Sequence, residues 1–296
     1  MIYHYTSLDG LKGILSSKKL WLTYSQELSD ITDRSYAYTS VLVNLFKSQN
    51  SDAKLLLEHL SANDILDVMQ ELFDVPFYST SFCKRNDNDY LWEYYADNYN
   101  GFCLKIDEAY LKENITKILK ENYNPLDKED KYDDEYNLNV RDIFYNLDEE
   151  NFNKALKISK SLSGIEYVNS EKQSSKAKFW LKIILMIFAG TIKHNNFHNE
   201  EEARILFQNF FDEEYINKHT YYLLDKEHYK DAYIKLGLDK EAKDGKRRME
   251  LNLQSFFDSK LILEIIVGKN FRGNLKEIKD FILANNLTNT EVFEQN

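Results

Sequence analysis

Only two prolines, Pro76 and Pro125, and nine glycines punctuate 296 residues. A chain so poor in breakers has few places to turn loose from regular structure and no composition suited to a long linker. Residues 1–296 therefore read as a single domain, long but within reach of one decorated α/β core. Apolar residues at 43% supply that core, and an aromatic share of 14% argues against disorder. The one compositional anomaly lies near 125–150, where ten acidic residues face only Lys128, Lys131 and Arg141; this reads as a solvated acidic insertion.

Charge and cysteine usage narrow the function classes. A net charge of −11 disfavours a long basic track for a nucleic-acid backbone. Cys83 and Cys103 are too few for a disulfide framework and lack zinc-site spacing, so both read as buried thiols. The opening Met1-Ile2-Tyr3-His4-Tyr5-Thr6 has no basic stretch leading into an apolar one, as a signal peptide would. The most apolar run, Phe179 to Ala189, is too short to span a bilayer and reads as a buried helix. The expected location is the cytoplasm, with no membrane partner.

Periodicity outlines the elements. Ile2–Thr6 and Leu20–Thr23 read as strands around a helix capped by Ser7, with Leu8, Leu11, Ile14 and Leu15 on one face. Residues 26–48 and 52–72 read as helical. Phe77–Cys83 and Phe102–Ile106 read as strands flanking a helix over Tyr90–Tyr99. Residues 151–190 return to helix, and Glu202–Phe211 fits strand or helix equally. Met249–Leu253 and Leu261–Val267 read as strands, and Leu275, Ile278, Phe281 and Ile282 mark a last amphipathic helix. Strands and helices do not alternate cleanly, so the expected class is α+β, with a split, partly antiparallel sheet surrounded by helices.

Three segments carry side chains suited to chemistry. In a strand, Tyr3 and Tyr5 face one way and His4 and Thr6 the other, which puts an imidazole and a hydroxyl on one face, able to bond a ribose or an amide. On spacing alone, the same residues suit a satisfied structural histidine better. A helix over 90–99 would place Trp92, Tyr95 and Tyr99 along one stripe, either as ring-stacking surface or as ordinary core. In Glu200-Glu201-Glu202-Ala203-Arg204, a strand would align Glu200, Glu202 and Arg204, able to orient a sugar hydroxyl and stabilise an oxocarbenium ion. A helix would make Glu200 and Arg204 an ordinary i, i+4 pair. Asp87, Asp89 and Glu93 offer a third possibility, a metal-dependent hydrolase, although helix capping accounts for them. Gly-x-Gly-x-x-Gly, a Walker A loop, His-Glu-x-x-His and Gly-x-Ser-x-Gly are all missing from the sequence.

These segments together resemble a bacterial family known as domain of unknown function 2971. The family pattern opens Tyr-His-Tyr-Thr-Ser, as at Tyr3–Ser7, and continues with a Leu-Trp strand, as at Leu20-Trp21-Leu22. Ser81-Phe82-Cys83, Leu91 to Asp97 and Gly101-Phe102-Cys103 follow its middle portion. Lys193-His194, Phe197, Glu200, Glu202 and Arg204 follow a later motif, and Ile265 to Gly268 its last strand. A departure occurs at Ser29-Asp30-Ile31-Thr32-Asp33, where the family carries an Asn-Asp turn ending in Glu.

A second likeness supplies an activity. The order His-x-Thr, aromatic element, late Glu is similar to ADP-ribosyltransferases. That resemblance implies an ADP-ribosyltransferase-like fold with NAD as co-substrate and no metal. It implies that Glu202, with Glu200 in reserve, is catalytic, and that His4, Thr6, Trp92, Tyr95 and Arg204 bind the cofactor. It implies a protein or nucleic-acid acceptor, a defence or toxin role, and a possible antitoxin or inhibitor partner. The alternative is a non-catalytic module binding a nucleotide or partner on a related scaffold.

Overall fold

The computed structural model describes residues 1–27, 33–73, 77–122, 138–163, 165, 173–208, 230–240 and 247–295. Most of the Ser29–Asp33 turn and residues 125–137 of the acidic stretch lie outside these residues. The class is α+β, with a largely antiparallel open sheet and helices packed around it. The chain divides into two compact units, each entered more than once. The first holds Met1–Tyr24, Tyr78–Asp142 and Asn199–Asn296; the second holds Ser25–Phe77 and Ile143–His198.

The first unit is built on the sheet. Its strands are β1 (Ile2–Thr6), β2 (Lys19–Tyr24), β3 (Phe77–Cys83), β4 (Phe102–Ile106), β5 (Leu138–Asp142), β6 (Glu202–Gln208), β7 (Arg248–Asn252), β8 (Ile262–Val267) and β9 (Glu291–Glu294). The order along the main path is β5-β6-β3-β1-β4-β8-β9, with β2 joined to β3 and β7 beyond β2. All the described strand pairs are antiparallel except β8 with β9.

Alternation assigns the two faces. Ile2, Tyr78, Phe82, Leu104, Val140, Ala203, Ile205 and Phe207 enter one main core. Against it pack α1 (Leu8–Ser17), α6 (Glu108–Glu121) and α9 (Leu275–Ala284), through Leu11, Leu15, Ile115, Ile278 and Ile282. Side-chain caps start these helices: Ser7, as expected, and Asp107 and Asn274 all accept first-turn N–H bonds. Tyr5, Cys83, Cys103 and Ile266 point the other way, into a small second core around Trp92.

The sheet is split at β3. Tyr24 and Thr23 of β2 pair with Tyr78 and Ser79 at one end of β3, while Tyr3 of β1 pairs with Cys83 at the other. The carbonyl of Phe77 bonds toward the β2 side, and the N–H of Lys84 bonds to Glu201 before β6. Odd and even residues of a strand direct their backbone groups to opposite edges. Hence β1 and β2 share one edge of β3 and diverge there, with Ser81 in the gap, while β6 takes the other edge.

Two expectations are corrected here. The helix over 90–99 is shorter: α5 covers Asp89–Tyr94, and Asp97, Asn98 and Tyr99 all adopt left-handed φ, at 50°, 50° and 61°. Long-range bonds hold this turn, from Asn270 N–H to the Tyr99 carbonyl and from the Asn270 amide to the Asn98 carbonyl. Gly268 is required beside it, because a Cβ there would overlap the Tyr99 carbonyl. The acidic stretch is not all insertion either: β5 pairs with β6 and buries Leu138 and Val140.

The second unit is helical: α2 (Asp33–Lys47), α3 (Ser51–Glu58), α4 (Ala62–Phe73), α7 (Glu149–Ser163) and α8 (Gln173–Phe188). The apolar run expected to be a buried helix is one, since α8 buries Trp180, Leu181, Ile184, Leu185 and Phe188. The Trp180 indole donates to the Ser159 hydroxyl at 2.8 Å, satisfying the one polar atom it takes inside. Polar stem contacts tie the bundle at its rim, with Lys160 on Asp52 at 2.8 Å and Lys178 on Asp64 at 2.6 Å. Among the described residues, no helix is long and apolar enough to cross a membrane.

Candidate functional site

His4 sits where the sheet divides. Its Nδ1 lies 3.2 Å from the Ser81 carbonyl, in the gap where neither β1 nor β2 supplies a ladder N–H. A carbonyl only accepts, so Nδ1 carries the proton and donates, which leaves Nε2 with a lone pair. The ring tilts against Phe82 at 5.6 Å. Burial pushes its pKa below the ordinary histidine value, outweighing the Ser81 bond, so the neutral form is favoured. The result is an oriented neutral imidazole with an acceptor nitrogen. Thr6 shares its face, buried beneath the first turn of α1, where Gly10 leaves room for the threonine hydroxyl.

Glu202 and Arg204 form the opposite kind of site. The segment left open between strand and helix is a strand from Glu202 onward, and Glu200 closes a 3-10 helix, Asn195–Glu200. Glu201 separates them in a left-handed conformation at φ 42°. Glu200 is therefore not aligned with Glu202. Arg204 instead grips Glu202 with two bonds, Nε to Oε1 at 2.6 Å and Nη2 to Oε2 at 3.0 Å. Both side chains are at most 5% exposed. Such a two-pronged pair offsets the cost of burying each charge.

The two groups do not converge. β1 and β6 both flank β3, about two strand spacings or ~9–10 Å apart. Their side chains nevertheless leave opposite faces: His4 and Thr6 share the parity of Ile2, which enters the main core. Glu202 and Arg204 alternate with Ala203 and Ile205, which enter that same core.

The aromatic segment is mostly scaffold. Trp92 is fully buried, edge-on to Tyr5 at 5.2 Å and parallel to Tyr99 at 6.0 Å, and its indole donates to the Asn86 carbonyl at 2.8 Å. No ring face is left for a ligand. Tyr5 donates to the Arg85 carbonyl and accepts from Asn88 N–H, while the Asn88 amide reaches the Asn199 carbonyl at 2.8 Å. Tyr95, by contrast, is half exposed and lies beside exposed Tyr94 and Tyr90. Burial raises the pKa of both Cys83 and Cys103, which keeps them thiols and unreactive. Asp87 is paired with Arg85 at 2.7 Å, and Asp89 accepts from the Tyr99 hydroxyl at 2.6 Å. That last bond drives the phenol pKa up to about 12.

Sequence reasoning passed over one surface. In the helical unit, Ser35, Tyr36 and Thr39 of α2 face His194, Asn196 and Phe197 across a cleft of about 470 Å³. His194 and Phe197 were read only as parts of a motif. Their pairing with α2 is long-range and left no local signal.

The sequence pattern of a family described as protein of unknown function (DUF2971) matches residues 91–205, less than half of the chain. The match takes in the aromatic segment, the Gly101-Phe102-Cys103 strand and the His194–Arg204 motif, and stops short of His4 and β8. No curated protein matches the chain significantly. No solved structure does either.

Proposed function

We propose that this protein is a nucleotide-binding module whose sugar-recognising group is His4. The observation that supports it is the neutral imidazole in the sheet's split, with Nδ1 anchored on Ser81 and Nε2 oriented as an acceptor. A ribose presents vicinal hydroxyls that each need an acceptor, and a pre-oriented lone pair meets one of them at little conformational cost. NAD is the probe of choice, since it carries two riboses.

A second reading, NAD-dependent ADP-ribosyl transfer to a protein or nucleic-acid acceptor, is favoured by one observation: Glu202 opens a strand only one strand removed from β1. In that reaction nicotinamide leaves C1′ with the bonding pair, and an acceptor nucleophile takes its place while a carboxylate steadies the positive charge. The carboxylate must be free and on the sugar's face. Glu202 is bound to Arg204 on the other face, so the binding reading stands first.

Calorimetric titration of NAD into the parent and into His4→Ala decides the first reading. Binding by the parent that weakens at least tenfold in the variant supports it. Equal binding, or none by the parent, overturns it. Nicotinamide release in the same samples, lost in Glu202→Gln while the fold by circular dichroism is unchanged, would promote the transferase instead.

A further inference from the structure

We infer that the cleft of the helical unit is a second small-molecule site, for a flat heteroaromatic ring with a hydrogen-bond acceptor on its edge. It is independent of His4, which belongs to the other unit.

Three features of the cleft point to such a ring. Two of its walls are aromatic: Tyr36 and Phe197 line it, and the His194 imidazole stands edge-on to Tyr36 at 5.1 Å. Flat rings gain most from stacked or edge contacts of this kind. The Lys193 ammonium lies 5.1 Å from the Phe197 ring centre, a cation–π contact that helps hold that ring. The volume of about 470 Å³ suits a single-ring or double-ring ligand with a small substituent.

The polar groups then define the edge. His194 Nδ1 accepts the Asn196 backbone N–H at 3.2 Å. A nitrogen that accepts carries no proton, so in the neutral ring the proton sits on Nε2 as a donor. The Asn196 amide and the Thr39 hydroxyl add further donors, and among the described residues no carboxylate lines the cleft. The His194 Nε2 donor beside aromatic walls suits a flat ring with an acceptor nitrogen or a carbonyl on its edge, as a nucleobase or a pyridine carboxamide has.

The bond from Asn196 N–H makes His194 the cap of the 3-10 helix Asn195–Glu200, which fixes the ring through Nδ1 and leaves its Nε2 edge to the cleft. His194, Asn196 and Thr39 are exposed, whereas Tyr38, Trp180 and Phe188 of the same unit are buried. The His194 to Phe197 segment also lies inside the family match, whereas α2 lies outside it.

The test is saturation-transfer NMR and calorimetry on the full chain, with adenosine and nicotinamide as separate probes and cyclohexanecarboxamide as a non-aromatic control. The expected result is binding of at least one aromatic probe and not of the control. Affinity should fall about fivefold or more in Phe197→Ala, and similarly in His194→Phe, which keeps a ring against Tyr36 and removes the donor. Which probe binds tells a nucleobase from a pyridine amide. Binding unchanged by both variants, or no binding of either probe at millimolar concentration, overturns the inference. His4→Ala separates it from the nucleotide reading: loss at His4 with retention here, or the reverse, assigns each failure to its own site. Circular dichroism and melting temperature are read beside each titration, so that a lost affinity in a variant that stays folded reports on the cleft itself.

Discussion

His4 and Glu202 enter as partners in one constellation, and the fold treats them in opposite ways. His4 is satisfied at one nitrogen and open at the other. Glu202 is buried, gripped at both oxygens by Arg204, and turned to the other side of the sheet. Residue type suited both to chemistry. What separates them is how much bonding capacity the protein itself consumes. An open, oriented atom is available to a ligand, whereas a closed ion pair mainly supports the strand that carries it.

Breaking the closed partner should have the largest effect. Glu202→Ala takes the two-pronged carboxylate away from the buried Arg204 guanidinium, and stability in urea unfolding should fall by about 3–5 kcal/mol. A change under about 1 kcal/mol would mean that Glu202 is not structurally committed, which would reopen the transferase reading.

The aromatic segment comes next. Trp92→Phe keeps most of the ring packing but abandons the Asn86 carbonyl inside the second core, for an expected loss of about 1–3 kcal/mol by the same measurement. Ligand affinity at His4 should not move, because Trp92 presents no face to a ligand.

His4 itself should matter less to stability than to pH response. Its folded pKa is lowered, so below about pH 6.5 the unfolded chain binds a proton that the folded chain resists. Stability should therefore be full above that value and fall as pH drops toward the lowered folded pKa. His4→Asn, which retains a donor for Ser81 without titrating, should flatten melting temperature against pH in that window. An unchanged slope would show that the imidazole is as easily protonated as a free one. Smallest of all, Tyr95→Ala should alter stability by no more than about 0.5 kcal/mol, as expected at an exposed position. If it also weakens NAD, the binding surface extends to α5.

Local chemistry made much of this readable. Ser7 and the Leu11–Leu15 face announce α1, and the alternation of Tyr3 and Tyr5 against His4 and Thr6 correctly splits them between two faces. The family resemblance is matched over residues 91–205, which takes in the Leu91–Asp97, Gly101–Cys103 and His194–Arg204 motifs. What stayed hidden depends on distant partners. β5 is short, and only its pairing with β6 distinguishes it from the acids around it. The divergence at β3 is a matter of register between β2, β3 and β1, which no window of sequence contains. The strand reading of residues 200–204 would align Glu200 with Glu202, and the left-handed Glu201 removes that alignment. The same holds for the Tyr36–Phe197 cleft, whose walls are more than 150 positions apart.

The turn at Asp97–Tyr99 has a consequence for the handedness of the chain's own building blocks. Three successive L-residues there occupy the region natural to their mirror images. A semisynthetic protein with D-asparagine at position 98 would find its own preferred basin, where the L-form is held by Asn270 and the close passage of Gly268. For those few residues the protein is a lock that an enantiomer would fit with less force. The same mirror-image residue placed in α6 would break the helix.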